Sequence, residues 1–575
     1  KGGSLVPLTA ENLTWADLGE GDTKRRDEVG GYIRGEAAYN ADKDARDNVW
    51  KLGDIFHSNP VTVGTPLQYF VDPRDRGKAF DTYRIANRRT SDNGRRIIVA
   101  GANDGQLHAF QTSELEEAWS FIPPNLLASL KDIAHSKHPT TLAHRFYVDG
   151  PITVADVWTG SGDGKNKSPA DWRTLLVVGL GQGGGKSLWS SSSSCDSGFS
   201  TAYLPGGEYP YYCGYHALDV TDTLNPSCRW RIRPAASQAP YLGDPWSRMV
   251  IRRVRIGADE KWVGFVGGGH SASPCSVPAD CDARGKGFLV VDLVTGNVLW
   301  SYNRHSLGGS AMSHALPAQP AVIDSDMDGF ADRAYIGDLG GNLWRFSFCR
   351  ASDGDGCTAA DWRGTLFFQR DSRTGPVYYA PAVARDVVGN LWVYWGTGDR
   401  LEPLATKENK DRFFGVRDLG KETPRTSSNL QDISGATQTF TELNRSDGWY
   451  VILGGAGEKV LANPTVFGGV VYFTTYTPES GLGDPCEQAG ASQLYGLSYV
   501  DGAGTFTGGS RSSYLGKGIS SAPLISAGSE AGKGGMFGSA SGGASAGGTL
   551  WKGPPELSWP ENRTHLLHWR DTRIR

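Results

Sequence analysis

No run in this chain approaches the roughly 18 uninterrupted apolar residues of a membrane-spanning helix, so the protein is not expected to be an integral membrane protein. A surplus of charge is also missing. Lys and Arg number 58 against 62 Asp and Glu, a net charge of −4, and no Lys/Arg-rich stretch occurs. That balance excludes a broad nucleic-acid footprint. Methionine is scarce, at 4 residues, and the 8 cysteines include no adjacent pair and none of the short C-x₂₋₄-C spacings that zinc favours. The opening Lys1-Gly2-Gly3-Ser4 has neither Met nor an apolar signal core, from which the chain is expected to be the mature or trimmed part of a longer protein. What is abundant is glycine, proline and tryptophan: 77, 30 and 18 residues. The glycines follow no three-residue period, so collagen is excluded and a turn-dense β protein is predicted.

The cysteines speak for an oxidising compartment. Cys195 and Cys213, Cys275 and Cys281, and Cys349 and Cys357 sit in short polar loops unsuited to burying free thiols, and each spacing closes a small loop. Three local disulfides are expected on proximity, leaving Cys228 and Cys486 as a long-range fourth; eight cysteines permit on the order of a hundred connectivities.

The chain repeats itself. An extended segment opened by proline recurs at Pro60, Pro151, Pro245, Pro320, Pro381, Pro464 and Pro523. Proline suits the first residue of a strand, where its missing N–H is not needed by the ladder. Each is followed by an apolar run, as in Ile98-Val99-Ala100-Gly101 or Ala334-Tyr335-Ile336-Gly337, and most by an alternating element such as Leu343-Trp344-Arg345-Phe346. A fourth element, often carrying Trp, is clearest early, in Ala118-Trp119-Ser120-Phe121 and Leu299-Trp300-Ser301-Tyr302. Four short strands per unit, in seven units, predict an all-β fold: a seven-bladed β-propeller with long inter-strand insertions and a few short helices. The expected organisation is a lead-in segment at 1–50 and a propeller at 51–575. The seventh unit is degraded by Gly, Ser and Ala, and Leu566-Leu567-His568-Trp569 is its last apolar stretch, placed to close a ring by pairing the chain ends. Short helices are expected within Ala10 to Arg46, and another over Pro123 to Ala134, where Leu126, Leu127, Leu130 and Ile133 recur at helical spacing.

One motif carries strong chemistry. Asp324-Ser325-Asp326-Met327-Asp328-Gly329-Phe330-Ala331-Asp332 sets carboxylates at positions 1, 3, 5 and 9 and Gly at 6. Ca²⁺ needs six to eight hard oxygens from a tightly curled loop, with position 7 giving its backbone carbonyl. The expected ligands are therefore Asp324, Asp326, Asp328 and Asp332 through carboxylates and Phe330 through its carbonyl. Position 12 is Tyr335 rather than Glu, so a further ligand must come from water or elsewhere. The plain alternative is an Asp/Gly hairpin turn.

Weaker motifs resolve into ordinary features. Gly183-Gly184-Gly185-Lys186-Ser187 resembles a phosphate loop, but Leu180 stands where its first Gly belongs. His135, His138 and His144 lack the catalytic Glu of a zinc site. Arg34-Gly35-Glu36 differs by one methylene from Arg-Gly-Asp and reads as a charged turn.

The blade patterns resemble quinoprotein-type propellers, and longer strings narrow the likeness. Trp50-Lys51-Leu52-Gly53-Asp54-Ile55-Phe56-His57-Ser58-Asn59-Pro60-Val61, Gly101 to Phe110, Tyr147-Val148-Asp149-Gly150-Pro151, Tyr335 to Phe346 and Asn463 to Cys486 resemble the PilC/PilY family of type IV pilus biogenesis factors and tip-associated adhesins. The resemblance covers Tyr32 to Trp569. It implies a C-terminal propeller in which the Asp-rich loop binds calcium and tunes pilus extension against retraction, hence twitching motility. It also implies major and minor pilins as partners, contact with host-cell or abiotic surfaces, and secretion to the periplasm, outer surface and pilus tip of a Gram-negative bacterium. No catalysis is expected. The alternatives are a purely adhesive or glycan-binding propeller with structural calcium, and a quinone-dependent dehydrogenase, whose adjacent Cys–Cys pair is missing here.

Overall fold

Each proline-opened segment leads into the first strand of a separate sheet in the computed structural model. That structure describes residues 5–36, 38–39, 52–66, 72, 74–134, 144–183, 188, 212–235, 237–271, 283–405, 411–442, 447–479, 490–526, 535–541 and 549–552. The chain divides into two compact units, Lys1–Ser301 and Tyr302–Arg573.

The first unit contains three four-stranded antiparallel sheets, each in chain order. Their strands are Val61–Val63, Ile97–Gly101, Leu107–Gln111 and Glu117–Phe121; Ile152–Trp158, Trp172–Gly179, Tyr215–Asp219 and Ser227–Arg231; and Val250–Ile256, Asp259–Gly267, Gly287–Asp292 and Val298–Asn303. The first strand of each sheet touches the first strand of the next. The core fills the space between faces: Val61, Val63, Ile97 and Val99 meet Ile152, Leu176 and Val178.

The second unit begins with the sheet Ala321–Ile323, Arg333–Gly337, Leu343–Ser347 and Arg363–Phe368. Next come Ala382–Arg385, Leu391–Gly396, Arg412–Asp418 and Gly448–Ile452, with the short Gln431–Asp432 parallel to the last. A sixth sheet sets Lys459–Val460 and Thr465–Phe467 against Val470–Thr477, then Ala491–Ser498 and Ser512–Lys517. The seventh has three strands, Leu524–Ser526, Gly535–Ala540 and Thr549–Lys552, among the described residues. Within this unit too, the strands opened by Pro320, Pro381 and Pro464 touch in succession. Aromatic rings fill the gaps, with Phe413 stacked on Phe473 at 3.7 Å between ring centres and Phe368 edge-on to Trp395 at 5.2 Å. Such strands are covered on both faces, which explains why they read as continuous apolar runs rather than alternating ones. The expected pairing partner Leu566 to Trp569 lies outside the described residues.

A recurrent turn fastens two of these sheets. Asp338 accepts hydrogen bonds from the amides of Gly340 and Asn342, from Asn342 Nδ2 and from the Trp344 indole, at 2.9–3.0 Å. Asp386 repeats this with Val388, Asn390 and Trp392 at 2.8–3.1 Å. The shared spacing, Asp then Asn four and Trp six residues later, satisfies every partner within seven residues.

Helices appear in both stretches where they were expected. Pro124–Ser129 is a 3₁₀ turn running into the helix Leu130–Ala134. Thr23–Ile33 is a helix capped by Asp22, whose carboxylate accepts the Arg25 amide at 2.9 Å. Its Val29 and Ile33 pack with Leu18 against Leu130. The helix Ala79–Ala86 was not anticipated.

Of the expected disulfides, Cys349–Cys357 is formed. Cys213 is also bridged, while Cys195, Cys275, Cys281 and Cys486 lie outside the described residues. Cys228 corrects the fourth pair: it is a free thiol. It sits opposite Leu218 within a strand, beside a shift in register, so the polar-loop argument that applied to the other cysteines does not apply to it.

Candidate metal centre

The Asp-rich segment is a nine-residue loop joining two buried strands, Ala321–Ile323 and Arg333–Gly337, whose register pairs Ile323 with Arg333. The base is fixed by the Asp332 amide donating to Ile323 O at 3.0 Å, while Asp332 O accepts from the Phe348 amide at 2.8 Å. Curling needs left-handed backbone, which Met327 (φ 62°) and Gly329 (φ 91°) supply. Met327 tolerates that conformation at the tip, where its side chain is 68% exposed.

Backbone amides gather the carboxylates. Asp324 accepts from the amides of Asp328 (3.1 Å) and Gly329 (2.7 Å), Asp326 from Asp328 (3.3 Å), and Asp328 from Phe330 (2.8 Å). Asp324, Asp326 and Asp328 each offer an oxygen within 4.8 Å of the others, the only such group of three or more His, Cys, Asp or Glu among the described residues. Oxygens bound to one calcium at about 2.3–2.6 Å can stand no further apart than about 5 Å, so the trio fits this ion. The group is also electrostatically primed. Burial, opposed by the Gly329 amide and reinforced by Asp328 and Asp326, pushes the Asp324 carboxyl up to about 6. An ion would relieve that repulsion.

Asp332 stands apart from the trio. It is 1% exposed, and its two oxygens accept from the amide (2.8 Å) and hydroxyl of Ser325. Burial raises its pKa while the Ser325 bonds pull the other way. The Phe330 ring is buried at 1% exposure and anchors the loop. Thus three of the five expected ligands converge through side chains, while Asp332 bonds to the loop's second residue.

Sequence reasoning missed the loop's supports. Ser325 lies inside the motif, and its pairing with position 9 was readable as a side-chain-to-backbone lock. The others come from distant sequence: the Ala351 amide donates to Asp326 at 3.3 Å, Arg350 Nε lies 4.0 Å from Asp332, and Arg385 of the fifth sheet donates to Ser325 O. The other motifs are occupied. Arg34 pairs with its own neighbour Glu36 and donates to Leu8 O, both at 2.5 Å. His144 bonds Asp54 at 3.1 Å, whereas His135, His138 and residues 184–187 lie outside the described residues.

The family model for the PilY1 β-propeller domain matches residues 52–421, which include the whole loop. The chain belongs to this family. Over 545 residues it is 28% identical to the type IV pilus biogenesis factor PilY1 of Pseudomonas aeruginosa strain PAK, covering 84% of this chain and 41% of that protein. A PilY1 homolog of Xylella fastidiosa strain Temecula1 is 25% identical over 531 residues, covering 88% and 36%. The chain therefore spans about two-fifths of the length of these relatives. Among solved structures it resembles the C-terminal domain of Pseudomonas aeruginosa PilY1, with a TM-score of 0.56 and 23% identity, covering 84% of this chain and 98% of that domain. The shared fold is propeller-like and all-β, with few helices.

Proposed function

We propose that this chain is the calcium-responsive propeller module of a type IV pilus biogenesis factor. It acts by binding rather than catalysis, at the periplasmic and outer surface, with pilins as partners and surface adhesion as a second output. Asp324, Asp326 and Asp328 hold Ca²⁺ through carboxylates and Phe330 through its carbonyl. Asp332 joins them on exchanging its Ser325 bonds for the metal or a metal-bound water. The observation that carries this reading is the convergence of three carboxylates, unneutralised by any cation inside the loop, within a stretch matched by the family model. The ion neutralises the trio and stiffens the hairpin, altering how the loop and its Arg350 and Arg385 neighbours meet a partner, and so biasing pilus extension against retraction.

Calorimetric titration with calcium, with magnesium as control, tests it on the unmodified chain and on Asp326→Asn and Asp328→Asn. Saturable calcium binding lost in both variants, with twitching altered in cells carrying them, is the expected result. An unmodified chain that binds no calcium refutes the switch. Motility indifferent to both substitutions, with attachment impaired, favours an adhesin with structural calcium.

A further inference from the structure

Beside the metal loop lies a cavity of about 540 Å³, lined by Ser347, Phe348, Arg350, Asp353, Asp361 and Arg363 among others. It is built by the excursion between the third and fourth strands of the fourth sheet. The Cys349–Cys357 bridge closes that excursion, and Cys357 reaches the cavity wall. Two 3₁₀ turns, Ala351–Asp353 and Ala359–Asp361, shape it. Their acids are already engaged: Asp353 accepts the Arg350 amide and Asp361 the Thr358 amide, each at 2.9 Å. The cations keep donors open to solvent. Among the described residues the Arg350 guanidinium donates no hydrogen bond, its nearby Asp332 standing off at 4.0 Å. Arg363 spends only Nη1, on the carbonyls of Ala360 (2.8 Å) and Trp362 (3.0 Å). A polar recess whose guanidinium donors are open to solvent, beside acids that are already capped, suits an anionic oxygen ligand.

We propose that this cavity receives a carboxylate of a partner protein, gripped by Arg350 and Arg363. A dianionic phosphate is disfavoured by Asp353 and Asp361 in the same wall. A sugar acid lacks a stacking platform: Phe348 is 4% exposed and its ring meets Trp362 edge-on at 5.1 Å. A link to the metal rests on the calcium reading above. Asp326 is the acceptor for the Ala351 amide, and Asp332 is the carboxylate facing Arg350. Drawing both acids toward an ion removes Asp332 as a competing anion 4.0 Å from Arg350, so calcium and carboxylate bind with positive, reciprocal coupling.

The test is calorimetric titration with a hexaglutamate peptide at low ionic strength, in metal-free buffer and again with calcium. Saturable binding is expected, weakened about tenfold by Arg350→Gln and by Arg363→Gln, while both variants still unfold cooperatively and still bind calcium saturably. Hexaglutamine should not bind, and Asp326→Asn should remove the calcium enhancement alone. Failure of hexaglutamate to bind, undiminished binding in both arginine variants, or tighter binding of inorganic phosphate or trigalacturonate overturns the proposal. Calcium that binds without changing peptide affinity overturns the link. An unmodified chain that binds no calcium overturns the metal reading, while the metal-free titration still decides the cavity.

Discussion

Single residues in the metal loop divide by what they hold. Asp326 and Asp328 face the trio and carry little of the fold, so Asp326→Asn and Asp328→Asn should abolish calcium binding at a stability cost below about 1 kcal/mol. Asp332 is buried and holds both donors of Ser325. Asp332→Ala leaves those donors unpaired and should cost about 1–3 kcal/mol in denaturant unfolding, with or without metal. It is thus a poorer probe of ligation than its place in the motif suggests. His108 offers a separate test. Burial opposes its charge, but Asp104 at 2.9 Å and Glu117 at 2.6 Å outweigh burial and push its pKa up to about 9. A histidine pKa raised on folding contributes stability that is full below pH 6.5 and lost as pH rises through about 9. The unmodified chain should therefore lose about 1–3 kcal/mol between pH 6.5 and 9.5. His108→Gln should flatten that slope, as read from urea midpoints across the range.

Elements were legible in proportion to their burial. First, second and third strands follow the prolines and apolar runs because they are buried on both faces: Leu391–Gly396 and Gly287–Asp292 have no exposed residue. Fourth strands were recognised only where Trp marked them. Ser512–Lys517 is largely exposed or half-buried and carries no strong pattern, whereas Gly448–Ile452 holds Trp449 but returns only after a long excursion from the third strand, which hid its place in the unit. The same physics governs the loop. Carboxylate spacing revealed Asp324, Asp326 and Asp328, but Arg385 reaches Ser325 from another sheet, and no local spacing encodes that contact. The Cys349–Cys357 bridge closes a short excursion, and loop-closure entropy assigns it about 2–3 kcal/mol. The double substitution Cys349→Ser with Cys357→Ser should lower stability by that amount and weaken hexaglutamate binding, read by unfolding and calorimetry on the same sample.

At the scale of the whole molecule, metal binding should appear as stability. A ligand held only by the folded state adds about 2.7 kcal/mol at a hundredfold excess over its Kd. Calcium at that excess should raise the thermal midpoint and EDTA should restore it, whereas Asp328→Asn should melt identically under both conditions. With two compact units and one proposed site in Tyr302–Arg573, a calorimetric scan that resolves two transitions should show only one of them moving with calcium.

The aspartate–asparagine–tryptophan turn bears on how this chain is dissected. Asp338 follows the second strand of its sheet, whereas Asp386 follows the first strand of the next, so the same cassette serves opposite ends of the strands. The two copies lie 386 − 338 = 48 residues apart, while the prolines opening those sheets, Pro320 and Pro381, lie 381 − 320 = 61 apart. A chimera cut at matching cassettes would therefore splice the second strand of one sheet onto the second strand of the next, or a first strand onto a third, and reverse the direction of everything downstream. Blade exchange in this family should be planned on the prolines, which keep phase with the sheets.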